Sequence, residues 1–194
     1  DVLFEGQLQG RVHWDVTGEH NRLNALAAIV AARHVGVEPK TAIESFARYR
    51  MPKRRMEIKG VVNDITVYDD FAHHPTAITT TVAGLRKRVG SARILAVLEP
   101  RSNTMKLGMM KAQLPESLRD ADWVFGYGAS EGKDALGWDL AESLSPLGEK
   151  ARAFDDLTEL VQAVKAQARA GDQILVMSNG GFGGVHQKLL DALD

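Results

Sequence analysis

Residues 67–78, VYDDFAHHPTAI, set two acids, two histidines and a proline between an apolar run and a helix-forming run. Three chemistries suit such a set: a metal centre, a proton-transferring dyad, or a strand end that holds a polar ligand. Metal ligation fits poorly. His73 and His74 are adjacent, whereas ligands sharing one face of a strand or helix need i,i+2 or i,i+3/i+4 spacing. The chain also contains no cysteine that could complete a thiolate site, so no metal ligands are expected here. A carboxylate at a strand end can accept the hydroxyls of a ribose. The plain alternative is a polar strand end with solvated aspartates and a helix cap, and the residues alone leave these two open.

Three further stretches carry chemistry. MPKRRME, residues 51–57, puts Lys53, Arg54 and Arg55 on a proline-containing connector. Such a run suits a solvated face, but arginine also offers a planar fork for phosphate oxygens. LEPRSNTMK, residues 98–106, places Arg101 and Lys106 after an apolar run, as an anion clamp or as surface charge. SNGGFGGVH, residues 178–186, could cradle an anion with its amides, although it is not GxGxxG and a glycine cluster is as often a tight turn.

The elements that must position these groups follow from periodicity. RVHWDVTGEHN reads as a short strand and turn, NRLNALAAIVAARHVG as a helix stopped by Gly36, and VEPKTAIESFARYR as a second helix. Pro52 disfavours a helical Met51, which sets a boundary between residues 1–52 and 53–194. EIKGVVNDITVYDD reads as a hairpin turning at Asn63-Asp64, followed by a helix from Pro75 to about Val89. ARILAVLEP and DQILVMS are continuously apolar, as strands covered on both faces are. DWVFGYG is another strand, DDLTELVQAVKAQARAG and VHQKLLDALD are helices, and MKLGMMKAQLPESL is a helix broken at Pro115. Buried strands alternating with helices predict an α/β layer with a mostly parallel sheet from about residue 53, after a strand-helix-helix segment. Ligands of such sheets collect at the C-terminal strand ends, where residues 69–74, 99–103 and 178–184 emerge.

Composition narrows the function classes. Twenty-four basic and 25 acidic residues leave a net charge of -1, so no overall field attracts nucleic acid or an anionic membrane. No apolar run reaches the ~20 residues of a membrane span, and no secretory signal pattern opens the chain. With no cysteine, a cytoplasmic setting is expected. The first methionine is Met51, inside a helical region, so the chain is read as a piece of a longer protein.

Taken in order, GEHNRLNALAA, RYRMPKRRME, YDDFAHHPT, LEPRSNTMK and MSNGGFGGVHQKLL resemble the C-terminal part of the Mur ligases, the ATP-dependent enzymes that build the peptide stem of bacterial cell-wall precursors. The first three motifs are similar to the branch adding L-alanine to UDP-N-acetylmuramate, and the last two look like the peptide-recycling branch. The resemblance implies that residues 1–52 end a central ATP-binding domain and that 53–194 form the Rossmann-like peptide-binding domain. The chain has no GxxxxGK[ST] phosphate loop, so alone it is expected to be inactive, with the Mg2+ ligands mainly elsewhere.

The resemblance also implies roles. Asn24, supported by Asn21, would meet adenine; Arg55 the ATP phosphates; Asp70 the ribose, with Asp69 supporting it. His73 and His74 would sit between nucleotide and peptide, with Arg55 and His73 nearest the reacting groups. Arg101, Ser102, Asn103 and Ser178 would take the peptide's carboxylates. The implied reaction joins UDP-N-acetylmuramate to L-Ala-γ-D-Glu-meso-diaminopimelate through an acyl phosphate. Two alternatives are an L-alanine-adding ligase and a non-catalytic nucleotide-binding module. The exposed ALAAIVAA face could also drive self-association.

Overall fold

The computed structural model describes residues 1–14, 16, 18–132 and 135–194. They fall into two compact units, Asp1–Pro52 and Lys53–Asp194.

The first unit opens with strands β1 (Val2–Phe4) and β2 (Gln7–Gly10), an antiparallel pair, followed by helices α1 (Glu19–His34) and α2 (Pro39–Ser45). The strand expected from Arg11 onward lies earlier. Glu5 and Gly6, both at positive φ, turn the chain between two very short strands, and residues 11–14 have no regular structure. Pro39 stands in the first turn of α2, where its missing N–H costs nothing. Ile29, Ala42 and Ile43 make a small buried core.

The second unit is a six-stranded sheet of β3 (Glu57–Val62), β4 (Ile65–Asp70), β5 (Ile94–Leu98), β6 (Trp123–Tyr127), β7 (Ala151–Phe154) and β8 (Gln173–Met177). Its spatial order is β3-β4-β8-β5-β6-β7, and only the β3/β4 pair is antiparallel. Asn63 and Asp64, at φ 48 and 61, close the β3–β4 hairpin as a two-residue primed turn. The helices are α3 (Pro75–Val89), α4 (Asn103–Lys106), α5 (Leu114–Ser117), α6 (Leu140–Leu144), α7 (Leu157–Gln167) and α8 (Val185–Leu193).

Period-two alternation splits the core into two layers. Ile94, Ala96 and Leu98 face one side with Leu175 and Met177, packed by Ile78, Val82 and Leu85 of α3 and by α5 and α6. Leu95 and Val97 face the other with Ile174 and Val176, packed by Leu160 and Val164 of α7 and Leu189 of α8. Leu160 and Val164 are fully buried, a gain of about 1.5–3 kcal/mol each on general scales. Asp156 caps α7 by accepting the Glu159 N–H at 2.8 Å.

The segment 105–118 departs from the expected helix broken at Pro115. The chain breaks earlier, around Gly108 at φ 72, and Pro115 instead sits in the first turn of α5. Among the described residues no helix is long and apolar enough to cross a membrane.

Candidate functional site

Strands β4, β8 and β5 are neighbours and parallel, so Asp70, Met177 and Leu98 end side by side in register. The three loops expected on one rim therefore leave from adjacent strands. Their close tie is visible in the backbone, where Ser178 N–H donates to Asp70 O at 3.2 Å and Glu99 N–H to Met177 O at 3.0 Å.

Asp69 and Asp70 are both buried, at 5% and 3% exposure. Asp70 accepts the Met56 N–H at 2.9 Å, the Ala72 N–H at 2.8 Å and the Thr81 hydroxyl at 3.3 Å. It thereby pins the connector to the strand end and to α3. Burial pushes its carboxyl pKa up, against the Ala72 and Met56 N–H groups, the Arg55 charge and Thr81, which favour the anion. Asp69 faces Arg54 Nε at 3.4 and 3.3 Å and His186 Nε2 at 3.2 Å.

Phe71 organises the groups above. His73 meets its ring edge-on at 5.3 Å, and the Arg54 and Arg55 guanidiniums lie 5.3 and 5.9 Å from its centroid. His73 Nδ1 lies 2.8 Å from the Phe71 carbonyl, which can only accept, so Nδ1 carries the proton. His74 takes the opposite tautomer at Nδ1, where it caps α3 by accepting the Thr76 N–H at 3.4 Å. Pro75 then occupies the first turn. Arg55 is exposed, while Arg54 is turned inward.

A cleft of 460 Å³ lies beside this region, lined by Arg101, Ser102, Asn103, Lys106, Asn179 and Gly180. Ser102 caps α4, accepting the Met105 N–H at 3.4 Å. Ser178 does not line the cleft. It is 1% exposed, and its hydroxyl donates to Glu99 Oε2 at 2.6 Å while accepting the Gly180 N–H at 2.9 Å. A second cleft of 390 Å³ shares Arg101 and adds Glu99, Tyr127, Glu131 and Phe182. In the other unit, Asn21 and Asn24 stand one turn apart on α1, with Asn24 exposed.

The structure thus gathers Asp70, His73 and Arg55 around Phe71 through direct contacts and their fields, and Arg101, Ser102 and Asn103 along one cleft. Sequence reasoning passed over Phe71 and Glu99, and it weighed Arg54 and Lys106 only as an anion fork or clamp against plain surface charge, without giving either a role. The Arg-Arg pair in the connector was the available signal for Arg54. Among the described residues no three His, Cys, Asp or Glu side chains gather as a metal site would need.

The chain is similar in sequence and fold to known proteins. The family model described as Mur ligase, glutamate ligase domain, matches residues 54–180. Over 194 residues the chain is 50% identical to the UDP-N-acetylmuramate–L-alanyl-gamma-D-glutamyl-meso-2,6-diaminoheptandioate ligase of Escherichia coli, covering 100% of this chain and 42% of that protein. The crystal structure of a murein peptide ligase from Psychrobacter arcticus superposes with a TM-score of 0.74 at 43% identity, over 94% of this chain and 38% of that one. A domain of a putative ligase of the same substrate name from Haemophilus ducreyi gives a TM-score of 0.61 at 53% identity, over 72% of this chain and 100% of that one.

Proposed function

This chain belongs to the Mur ligases, and from that premise we propose that it is the peptide-presenting part of an ATP-dependent ligase joining UDP-N-acetylmuramate to L-Ala-γ-D-Glu-meso-diaminopimelate in peptidoglycan recycling. The observation that carries the reading is the 50% identity to the Escherichia coli ligase of that substrate name, sustained over all 194 residues.

In this proposal ATP phosphorylates the lactyl carboxylate of UDP-N-acetylmuramate. The peptide amine attacks the acyl phosphate, and phosphate leaves the tetrahedral intermediate. Such chemistry depends on positioning and on neutralising phosphoryl charge. Arg55, exposed beside Phe71, has its fork available for phosphate oxygens, and Asn24 is exposed for the adenine edge with Asn21 one turn away. Asp70 addresses the ribose from the strand end while its backbone partners hold it in place. His73, its Nδ1 committed to Phe71, presents Nε2 between nucleotide and peptide, and His74 orients the start of α3. Arg101, Ser102 and Asn103, with Lys106, take the peptide's carboxylates in the 460 Å³ cleft, and Ser178 supports them from below. In this proposal Mg2+ enters with ATP, bridging its phosphates, on ligands that lie mainly in the central domain.

The test is phosphate release by the full-length protein with ATP, Mg2+ and UDP-N-acetylmuramate. Release is expected with the tripeptide and not with L-alanine. Release driven by L-alanine alone would move the assignment to the alanine-adding branch, and release with neither would support a non-catalytic module.

A further inference from the structure

Arg54 stands two residues past the unit boundary in a backbone conformation that side chains rarely adopt, with φ 61. Its main chain is fixed at both ends: its N–H donates to Glu57 Oε2 at 2.9 Å, and its carbonyl accepts the Phe71 N–H at 2.9 Å. From there the side chain reaches inward. Nη2 donates to Ser178 O at 2.6 Å and to Gly180 O at 2.8 Å, and Nε faces Asp69, which His186 also approaches, at 3.2 Å.

Those two carbonyls flank Asn179 in the loop that forms one wall of the 460 Å³ cleft. The loop in turn touches the groups above it. A β-carbon on Gly180 would stand 2.2 Å from Arg101 Nη1, so the Arg101 side chain lies directly on the Gly180 backbone. One guanidinium therefore braces from beneath the segment on which another rests. A planar fork can meet a carboxylate along one edge and carbonyls along another; an ammonium is a point charge and cannot span both.

We propose that Arg54 is a positioning residue for the peptide cleft: it fixes the Ser178–Gly180 backbone, and through Gly180 it sets where the Arg101 guanidinium lies, without touching the peptide. The proposal rests on the reading of that cleft as the peptide's. It also separates the two connector arginines, with Arg55 outward toward nucleotide and Arg54 inward toward the peptide loop.

The experiment compares Arg54→Lys with Arg93→Lys. Arg93 is a similarly shielded arginine, 26% exposed against 29%, paired with Asp172 just before β5, away from the strand ends that carry the cleft. Amide hydrogen exchange is read first, on the 194-residue chain without ligand. Residues 179–184 are expected to exchange about tenfold faster in Arg54→Lys, the loss of roughly one charge-assisted hydrogen bond, and to be unchanged in Arg93→Lys. Steady-state kinetics of the full-length protein are read second. The peptide KM is expected to rise about tenfold in Arg54→Lys alone, with the ATP KM held within about twofold. Unchanged exchange of the loop overturns the proposal, as does an equal peptide KM in the two variants. If the wild-type protein turns over no tripeptide, the reading of the cleft fails, and the exchange result still decides whether Arg54 holds the loop.

Discussion

Asp69, Arg54, His186 and Lys59 form a charged group beneath the rim of the sheet, and the imidazole at its centre is held below its ordinary pKa. Burial lowers the His186 pKa from 6.5; Lys59 and Arg54 lower it further, and Asp69 opposes them. The Nε2 to Asp69 approach of 3.2 Å is close but makes no aligned hydrogen bond, so the carboxylate offsets only part of the cost of charging a shielded ring. The unfolded chain then binds this proton more tightly than the folded one. The stability associated with neutral His186 is complete above pH 6.5 and is lost as pH falls through the lowered folded value. In urea titrations at about pH 7.5 and about pH 5.5, His186→Gln is expected to lose less stability than the wild-type chain over that interval. Parallel losses would remove His186 as a source of acid sensitivity. None of this was legible in the sequence. His186 closes the SNGGFGGVH stretch, which was weighed only for its backbone amides, and the partners of Arg54 in the β8 loop stand 124 and 126 positions away.

Among the elements, α3 is the one best specified locally, yet it carries a glycine in its interior. Gly84 is buried, and a β-carbon there would meet nothing within 4 Å. Gly84→Ala is therefore expected to stabilise the chain by about 0.5–1 kcal/mol through helix propensity and lost unfolded-state freedom, read as a higher urea midpoint. A lower midpoint would mean that neighbouring side chains already use that space. The bounds of α3 were visible because Pro75 opens it and Gly90, at φ 62, closes it. The β3–β4 hairpin was visible through Asn63-Asp64, and β5 and β8 through their unbroken apolar runs. What escaped notice was short or weakly patterned. β1 has three residues, β7 is the four-residue ARAF, and α6 has five residues with two buried leucines. The break at Gly108 escaped because a proline is the louder signal, although Pro115 is harmless in a first turn. At the site, the rim could be located from strand order alone, whereas the inward turn of Arg54 and the burial of Ser178 depend on a positive φ and on tertiary hydrogen bonds.

For the molecule as a whole, the first unit leaves much apolar surface uncovered. Leu23, Leu26 and Val30, spaced to share one face of α1, are 58%, 45% and 58% exposed, and the cross-strand pair Leu3 and Leu8 is 59% and 66% exposed. We expect the 194-residue chain to self-associate through this surface. Sedimentation velocity should show a weight-average mass that rises with concentration, and Leu26→Glu with Val30→Glu should return it to the monomer. A wild-type chain that stays monomeric up to about 100 μM would show the patch too small to hold a dimer. The larger unit has a different dependence, set by its strand order. β3 and β4 pair with each other, and β5, β6 and β7 pair in sequence, but β8 alone joins the two groups, through Asp69↔Val176 on one side and Val97↔Val176 on the other. It is made after the five other strands of the sheet. A ribosome working through this stretch thus extrudes two half-sheets, each with an open inner edge of unpaired backbone, and neither can close until Gln173–Met177 has left the exit tunnel. From the completion of β4 until β8 emerges, the nascent chain carries open strand edges, and translation arrest before β8 would release a product with no means of completing its own sheet.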